Sequence, residues 1–532
     1  MLPTWLSSFA YVQTIPNVYN ATTPAVTFWG GTPELERLPA THPELGWLTS
    51  EVVAAGIAPR SKHIAEWCLL RKRRVLEVLV LGASVTAGCG AHAPSPHCHP
   101  SGSWAHWLQV RLQAQLGNRY EVRMNIFGKS AVTMNYFKQC PARLGLSTHT
   151  SLVLLEFEGS ALSMASGTDN DAANAAAASL KDMLHSLRSI APRAVYIFAG
   201  WPMFKSLSKI HTAMRRDLLL AGKVPEVEAV FSAPLLQRGV DLGHISSFNQ
   251  LSADVAHPNG KGAALLAELA TTLITTRLRD REACTGADAA LKRLEDASSA
   301  LEESPPFEEC FLSADQIPVQ GPLPEGITLR DEGGKKAVRK LGLVSDVPGG
   351  KLSIGPLASG VSCGLLSVSL GYLQSWRPEQ GRFRIDCVGC SCFGPQGAWA
   401  RAADAFPIVN TFKSSVPSKA RDEMHNASIT VFTSFYLHKQ AGPCWVNLTH
   451  LQTDKHEQAR HIHTNRSRIR VDTIGLEMTD CTYVRYITRR ARSSAALAAL
   501  AAANTACTAG WKAGKPGYIT PACFNSSTPC SK

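Results

Sequence analysis

The residues with the clearest chemical potential lie in two short stretches. The first is Leu81-Gly82-Ala83-Ser84-Val85-Thr86-Ala87-Gly88, which follows the apolar run Val75-Leu-Glu-Val-Leu-Val-Leu81. A serine hydroxyl is a weak nucleophile until a base takes its proton. Flanking glycines let the chain turn sharply and let backbone amides approach a developing oxyanion. The spacing Gly-x-Ser-x-x-x-Gly differs from the Gly-x-Ser-x-Gly elbow of α/β-hydrolases. The second stretch is Asp254-Val-Ala-His257-Pro258-Asn259-Gly260. An aspartate and a histidine three apart, just before a helix, present both side chains on one side of a loop. The imidazole of His257 then serves as base to Ser84, and the Asp254 carboxylate orients it and steadies its charge. Each stretch alone has an ordinary reading: a strand-end turn serine, and a helix-entry loop with a capping Asp or Asn and a solvent-exposed histidine. Both in one α/β pattern favour catalysis.

The elements that must hold these residues follow from periodicity. Short apolar runs at 75–81, 151–157 and 194–199, the segment 120–127 and a weaker one at 227–231 read as strands; helical spacing marks 103–116, 172–190 and 261–278. Alternating strands and helices imply a parallel sheet covered on both faces. Reactive groups in such sheets sit at the carboxyl ends of the strands, where Ser84 falls. After residue 340 the texture changes to short alternating segments at 382–387, 429–436 and 468–472, the pattern of a β-sandwich. The division expected is an irregular N-terminal extension at 1–70, a hydrolase-like α/β domain at 71–280, a Pro/Gly-rich connector at 281–340, a β-sandwich at 341–490 and an Ala/Cys-rich tail at 491–532.

The two reactive stretches resemble the SGNH hydrolase superfamily, the GDSL-type esterases and lipases. The first family block, Gly-Asp-Ser-x-Thr-x-Gly, is matched by Gly82 to Gly88 with Ala83 in place of the aspartate. The last block, Asp-x-x-His-Pro, is matched by Asp254 to Pro258. The resemblance spans about 75–280 and implies a flavodoxin-like three-layer α/β/α fold, with Ser84, His257 and Asp254 as the catalytic triad. It also implies an oxyanion site built from the Ser84 and Gly128 amides and a third donor. Where the family carries an asparagine after the third strand, this chain has Ser160; Asn170 is the alternative. A missing oxyanion donor costs on the order of a hundredfold or more in rate, so weakened catalysis is part of this expectation. Farther on, Leu370 to Trp376 and Cys387-Val-Gly-Cys390-Ser-Cys392 resemble the C-terminal region of plant and green-algal SGNH-domain proteins, which implies an accessory β-domain.

Composition narrows the setting. With 45% hydrophobic and only 18% charged residues, long disorder is excluded for most of the 532-residue chain. The net charge of +12 comes from scattered Lys and Arg, and the densest run, Arg71-Lys72-Arg73-Arg74, reads as a solvated strand entrance. No nucleic-acid motif accompanies it, and no stretch of about 18 apolar residues marks a membrane span. Fifteen cysteines and sequons at Asn20, Asn426, Asn447, Asn465 and Asn525 favour the secretory pathway. The first residues, without a basic n-region and apolar h-region, argue the other way. Cys387, Cys390 and Cys392 read as disulfide partners, because no second Cys-x-x-Cys pair completes a metal site. Cys89 with Cys98, and Cys284 with Cys310, are the other expected pairs. His92, His97 and His99 read as loop histidines, so neither cofactor nor metal is expected.

The function expected is hydrolysis of a carboxylic ester, with acetylated polysaccharide as the candidate substrate. Transfer of the acyl group to a glycan hydroxyl by the same triad is the first alternative. A weakened esterase that binds glycan is the second.

Overall fold

A computed structural model describes residues 47–48, 53, 55–57, 63–91, 98–130, 132–138, 141, 143–157, 168–203, 207–254, 256–280, 284, 289, 291–294, 296, 308–331, 341–359, 364–374, 381–393, 408–410, 429–439, 442–451 and 468–478. Ser160, the Trp376 end of its motif, four of the five sequons and the tail lie outside these. The chain forms two compact units, one drawn mainly from residues up to Leu294 and one mainly from Glu295 onward.

The first unit is built on five parallel strands: β1 (Val75–Gly82), β2 (Glu121–Gly128), β3 (Leu152–Glu156), β4 (Val195–Gly200) and β5 (Glu228–Phe231), in the order β2-β1-β3-β4-β5. This is the strand order of flavodoxin-like doubly wound sheets, whose ligand crevice opens where the order reverses, here at the carboxyl ends of β1 and β3. Alternate residues fill the two faces. Val78, Val80, Leu152, Leu154, Val195 and Ile197 join a core with the helices. Leu79, Leu81, Val153, Leu155, Tyr196 and Phe198 on the opposite face are equally buried. Burial on both faces explains why β1, β3 and β4 read as mostly apolar runs.

The longer helices are α1 (Ile64–Lys72), α2 (Trp104–Leu116), α3 (Asp169–Arg188), α4 (Ile210–Lys223), α5 (Ser232–Asp241) and α6 (Gly260–Arg279). Trp104, Leu108 and Leu112 of α2 share the core with Leu266, Ala270 and Leu273 of α6, and Arg111 and Glu268 join the two helices by an ion pair at 2.6 Å. The sequence showed α2, α3 and α6 but no periodicity for α1, α4 or α5. Helix α3 also begins earlier than its apolar spacing suggests. The Asp171 carboxylate accepts from Thr168 N (3.0 Å) while Asp171 N faces Thr168 Oγ1 (3.3 Å), a reciprocal cap that carries the helix back to Asp169. The basic run is not simply solvated. Arg71 donates to the Arg277 carbonyl and to Cys284 Sγ, and Arg73 donates to the His149 carbonyl at 2.8 Å. Cys284 is disulfide-bonded to Cys68, not to Cys310, and ties α1 to the segment after α6; Cys310 is also disulfide-bonded.

The second unit carries two antiparallel sheets. One contains β6 (Glu308–Phe311), β7 (Ile327–Asp331), β8 (Leu341–Ser345), β10 (Gly364–Gln374), β12 (Cys390–Phe393), β14 (Ile429–Lys439) and β16 (Ile469–Met478). The other contains β9 (Lys351–Leu357), β11 (Arg382–Val388), β13 (Ile408–Asn410) and β15 (Cys444–Leu451). Leu366, Val368, Phe435 and Leu476 from the first meet Ile354, Phe383, Ile385, Val446 and Leu448 from the second in a single core. Two sheets sharing one core make a β-sandwich. Disulfides Cys387–Cys392 and Cys390–Cys444 lie within this unit. Asn447, the one sequon asparagine among the described residues, sits mid-strand in β15, paired with Asp386 on one side and Ser353 on the other.

Candidate active site

Strand β1 ends at Gly82, and residues 83–88 form a tight turn of helical type: Ala87 N donates to Ala83 O (3.0 Å) and Gly88 N to Val85 O (3.1 Å). Gly88 closes it at φ 77°, a conformation that glycine adopts at little cost. Ser84 stands on this turn at the topological switch of the sheet. The turn is pressed against β2. A Cβ on Gly128 would stand 2.4 Å from Ala87 N and 2.6 Å from the Thr86 carbonyl carbon. Glycine at 128 is therefore a packing requirement of the Ser84 turn.

The second reactive stretch is held by α6. Asn259 caps the helix, its Oδ1 accepting from Lys261 N (3.0 Å) and Gly262 N (3.2 Å). Its own amide donates to Leu251 O (3.0 Å), and Ala253 N donates to His257 O (2.8 Å). Ser252 Oγ lies 2.7 Å from His257 O and 2.5 Å from Asp254 O. These bonds leave the His257 loop little freedom. Gly90, at φ 83°, packs directly against it; a Cβ there would meet His257 Cβ at 2.7 Å.

The two stretches, 173 residues apart, meet side chain to side chain. His257 Nε2 lies 2.9 Å from Ser84 Oγ. His257 Nδ1 lies 2.8 Å from Asp254 Oδ2 and 3.0 Å from Oδ1. An ionised carboxylate only accepts, so the Nδ1–H donates to Asp254 and Nε2 is left to accept the Ser84 proton. Asp254 Oδ1 also accepts from Ala256 N (2.7 Å) and His257 N (2.9 Å). Burial pushes the Asp254 carboxyl upward, but its bond to His257, the imidazole charge and the two amides outweigh this and hold it below the usual carboxylate range. The His257 side chain is 22% exposed and that of Asp254 53%, so a substrate can reach the imidazole from solvent. Such an arrangement can deprotonate a hydroxyl and return the proton to a leaving group.

Of the oxyanion candidates, Ser84 offers its amide, for which no acceptor is found among the described residues. At Gly128, the ladder bond to Gly82 O is made by the next amide, Lys129 N (3.0 Å), so that bond does not use the Gly128 amide. Ser160 lies outside the described residues. Asn170 is in the first turn of α3, where its neighbour Asp169 pairs with Arg215 and Arg216. Among the described residues no hydrogen bond links Asn170 to Ser84, Asp254 or His257, and no cluster of His, Cys, Asp or Glu there could hold a metal.

Sequence reasoning missed Glu156, the last residue of β3. It is 1% exposed, and its Oε2 accepts from Thr86 N (3.2 Å) and Thr86 Oγ1 (3.1 Å) inside the Ser84 turn. Trp104 Nε1 in turn donates to Thr86 Oγ1 (3.0 Å). The available signal was an acidic residue within a strand otherwise wholly apolar, since a buried carboxyl requires partners.

No family model matches the chain, and no curated protein does. Among solved structures it is similar to a two-domain esterase active on acetylated mannans, co-crystallised with mannopentaose. That pair shows 13% identity and a TM-score of 0.45, covering 80% of this chain and 97% of that one. It is also similar to a protein of the G-D-S-L lipolytic family from Desulfitobacterium hafniense (17% identity, TM-score 0.27, covering 37% and 97%). A lipase from a goat rumen metagenome follows at 15% identity and a TM-score of 0.27, covering 37% and 95%. The functional reading rests on the geometry around Ser84.

Proposed function

We propose that this chain is a serine esterase of the SGNH type that cleaves carboxylic esters through Ser84, His257 and Asp254. The observation that carries this reading is the continuous chain of hydrogen bonds from carboxylate through imidazole to a hydroxyl at the switch point of a parallel sheet. Ser84 Oγ attacks the acyl carbon while its proton passes to His257 Nε2, and Asp254 steadies the imidazolium. The Ser84 and Gly128 amides receive the oxyanion, with Ser160 as third donor. Collapse of the tetrahedral intermediate expels the alcohol, which takes the proton from His257. Water, deprotonated by the same imidazole, then releases the carboxylic acid and restores Ser84.

The substrate class proposed is an acetylated polysaccharide met outside the cell. The disulfides Cys68–Cys284 and Cys89–Cys98 support an oxidising compartment. No described helix is long and apolar enough to cross a membrane.

Active-site labelling tests the reading. A fluorophosphonate probe should label wild type and not Ser84→Ala, and wild type should release acetate from acetylated glycans. Folded wild type that resists the probe at every pH would sink it. Acetate release that falls as a glycan acceptor is added, with acetylated acceptor formed, would assign the same residues to acyl transfer.

A further inference from the structure

Three features of the Ser84 turn converge on one buried group that the reaction itself does not use. Glu156 is the residue opposite Gly82 in the β1–β3 ladder, and its backbone carbonyl accepts from Ala83 N at 3.2 Å. Its side chain then reaches under the turn to bond the amide and the hydroxyl of Thr86, two residues past the nucleophile. The contact leaves no room for a side chain at Gly82, where a Cβ would stand 1.9 Å from Thr86 Oγ1 and 3.0 Å from Glu156 Oε2. The first glycine of the motif, its threonine and Glu156 thus form one device, anchored to α2 by the Trp104 indole.

We infer that Glu156 is a positioning residue: acting through Thr86, it holds the Ser84 turn at the height where His257 reaches the hydroxyl. The proposal takes its rate readout from the esterase reading, but its geometry does not depend on it. Burial is the dominant influence on the carboxyl and pushes it up to about 8 against the opposing bonds from Thr86 and Ala83; no charged neighbour contributes. Burial thus favours the neutral acid, which accepts from Thr86 without placing a negative charge behind the nucleophile. A displacement of about 1 Å at a reacting atom costs on the order of a hundredfold in rate, which is why a distant clamp matters.

The test compares wild type, Glu156→Ala, Glu156→Gln and Thr86→Val. Glutamine keeps the carbonyl acceptor without the ionisation; valine keeps the shape of threonine without its hydroxyl. Glu156→Ala should lower kcat and the rate of fluorophosphonate labelling by about tenfold to a hundredfold with KM within about twofold. Glu156→Gln should stay within about threefold of wild type, and Thr86→Val should fall between. The folded state holds the Glu156 proton more tightly than the unfolded chain, so the stability that Glu156 contributes is lost as pH rises from 4.5 toward about 8. Glu156→Gln should flatten that slope, which checks the burial of the carboxyl, while the rescue of kcat by Gln and not by Ala checks the clamp. Wild-type labelling rates in Glu156→Ala, or equal impairment in Gln and Ala, overturn the proposal. If Glu156→Ala does not fold, Thr86→Val carries the test, and labelling at the wild-type rate overturns it. If folded wild type is not labelled, the esterase reading fails on its own. Amide exchange at Thr86 then decides: slow in wild type and Gln and at least about tenfold faster in Ala supports the clamp, and equal exchange in all three rejects it.

Discussion

The molecule contains a serine–histidine hydrogen bond in each of its two units, at the same length. In the parallel-sheet unit Ser84 Oγ lies 2.9 Å from His257 Nε2. In the sandwich Ser345 Oγ lies 2.9 Å from His450 Nδ1. The surroundings differ. His257 is partly open to solvent and has a carboxylate on its far nitrogen, so the imidazolium formed when it takes a proton is compensated. His450 is 1% exposed, and burial lowers it to about 4, against the opposing influences of the Val347 backbone and the Asp346 charge. A histidine that resists protonation this strongly is a poor base near neutrality. Its hydroxyl contact satisfies two buried polar groups that join β8 to β15. Distance alone therefore does not make a nucleophile; the environment that stabilises the protonated imidazole does.

The most decisive way to break this comparison is to remove each hydroxyl in turn. Ser84→Ala should lower ester turnover by about a millionfold, to whatever binding and the oxyanion site sustain. Ser345→Ala should leave turnover within about twofold, judged by acetate release. Comparable losses in both would erase the distinction. Asp254→Asn comes next: with the carboxylate neutralised, the imidazole loses its orientation and its counter-charge, and kcat should fall about ten-thousandfold with the fold intact by circular dichroism. Gly128→Ala should cost about a hundredfold in labelling rate, because its Cβ cannot fit beside Ala87 N without lifting the Ser84 turn. The smallest effect concerns stability. His450 is protonated more readily in the unfolded chain than in the folded one, so its contribution to stability should fall as pH drops from 6.5 toward about 4. His450→Gln should flatten that slope in urea melts while leaving turnover unchanged. A slope that survives the substitution would show that His450 is not its source.

Much of the architecture was legible before any coordinates. Strands β1, β3 and β4 are largely buried on both faces, and burial leaves a mostly apolar run that marks them in the sequence. Helices α1, α4 and α5 were not legible. The basic residues Arg71 and Lys72 at the end of α1, for example, suggested solvent, whereas Arg71 bonds across to the end of α6 and to Cys284. The Cys284 pairing likewise depends on a partner 216 residues away that no local spacing reveals.

The residue types and order of the Ser84 and Asp254–His257 stretches were determined by the sequence alone, because local turn chemistry needs those glycines, that proline and that capping asparagine wherever the stretches lie. Their meeting was decided only in three dimensions, by the packing of α6 against α2 and the return of the chain to the rim of β1. The same holds for Glu156. As a letter it is one acid in a strand, and it became a clamp only when the β1–β3 ladder set it beneath Thr86. Hydrogen bonds act over about 3 Å, and nothing in the order of residues along a chain states which distant groups folding will bring that close.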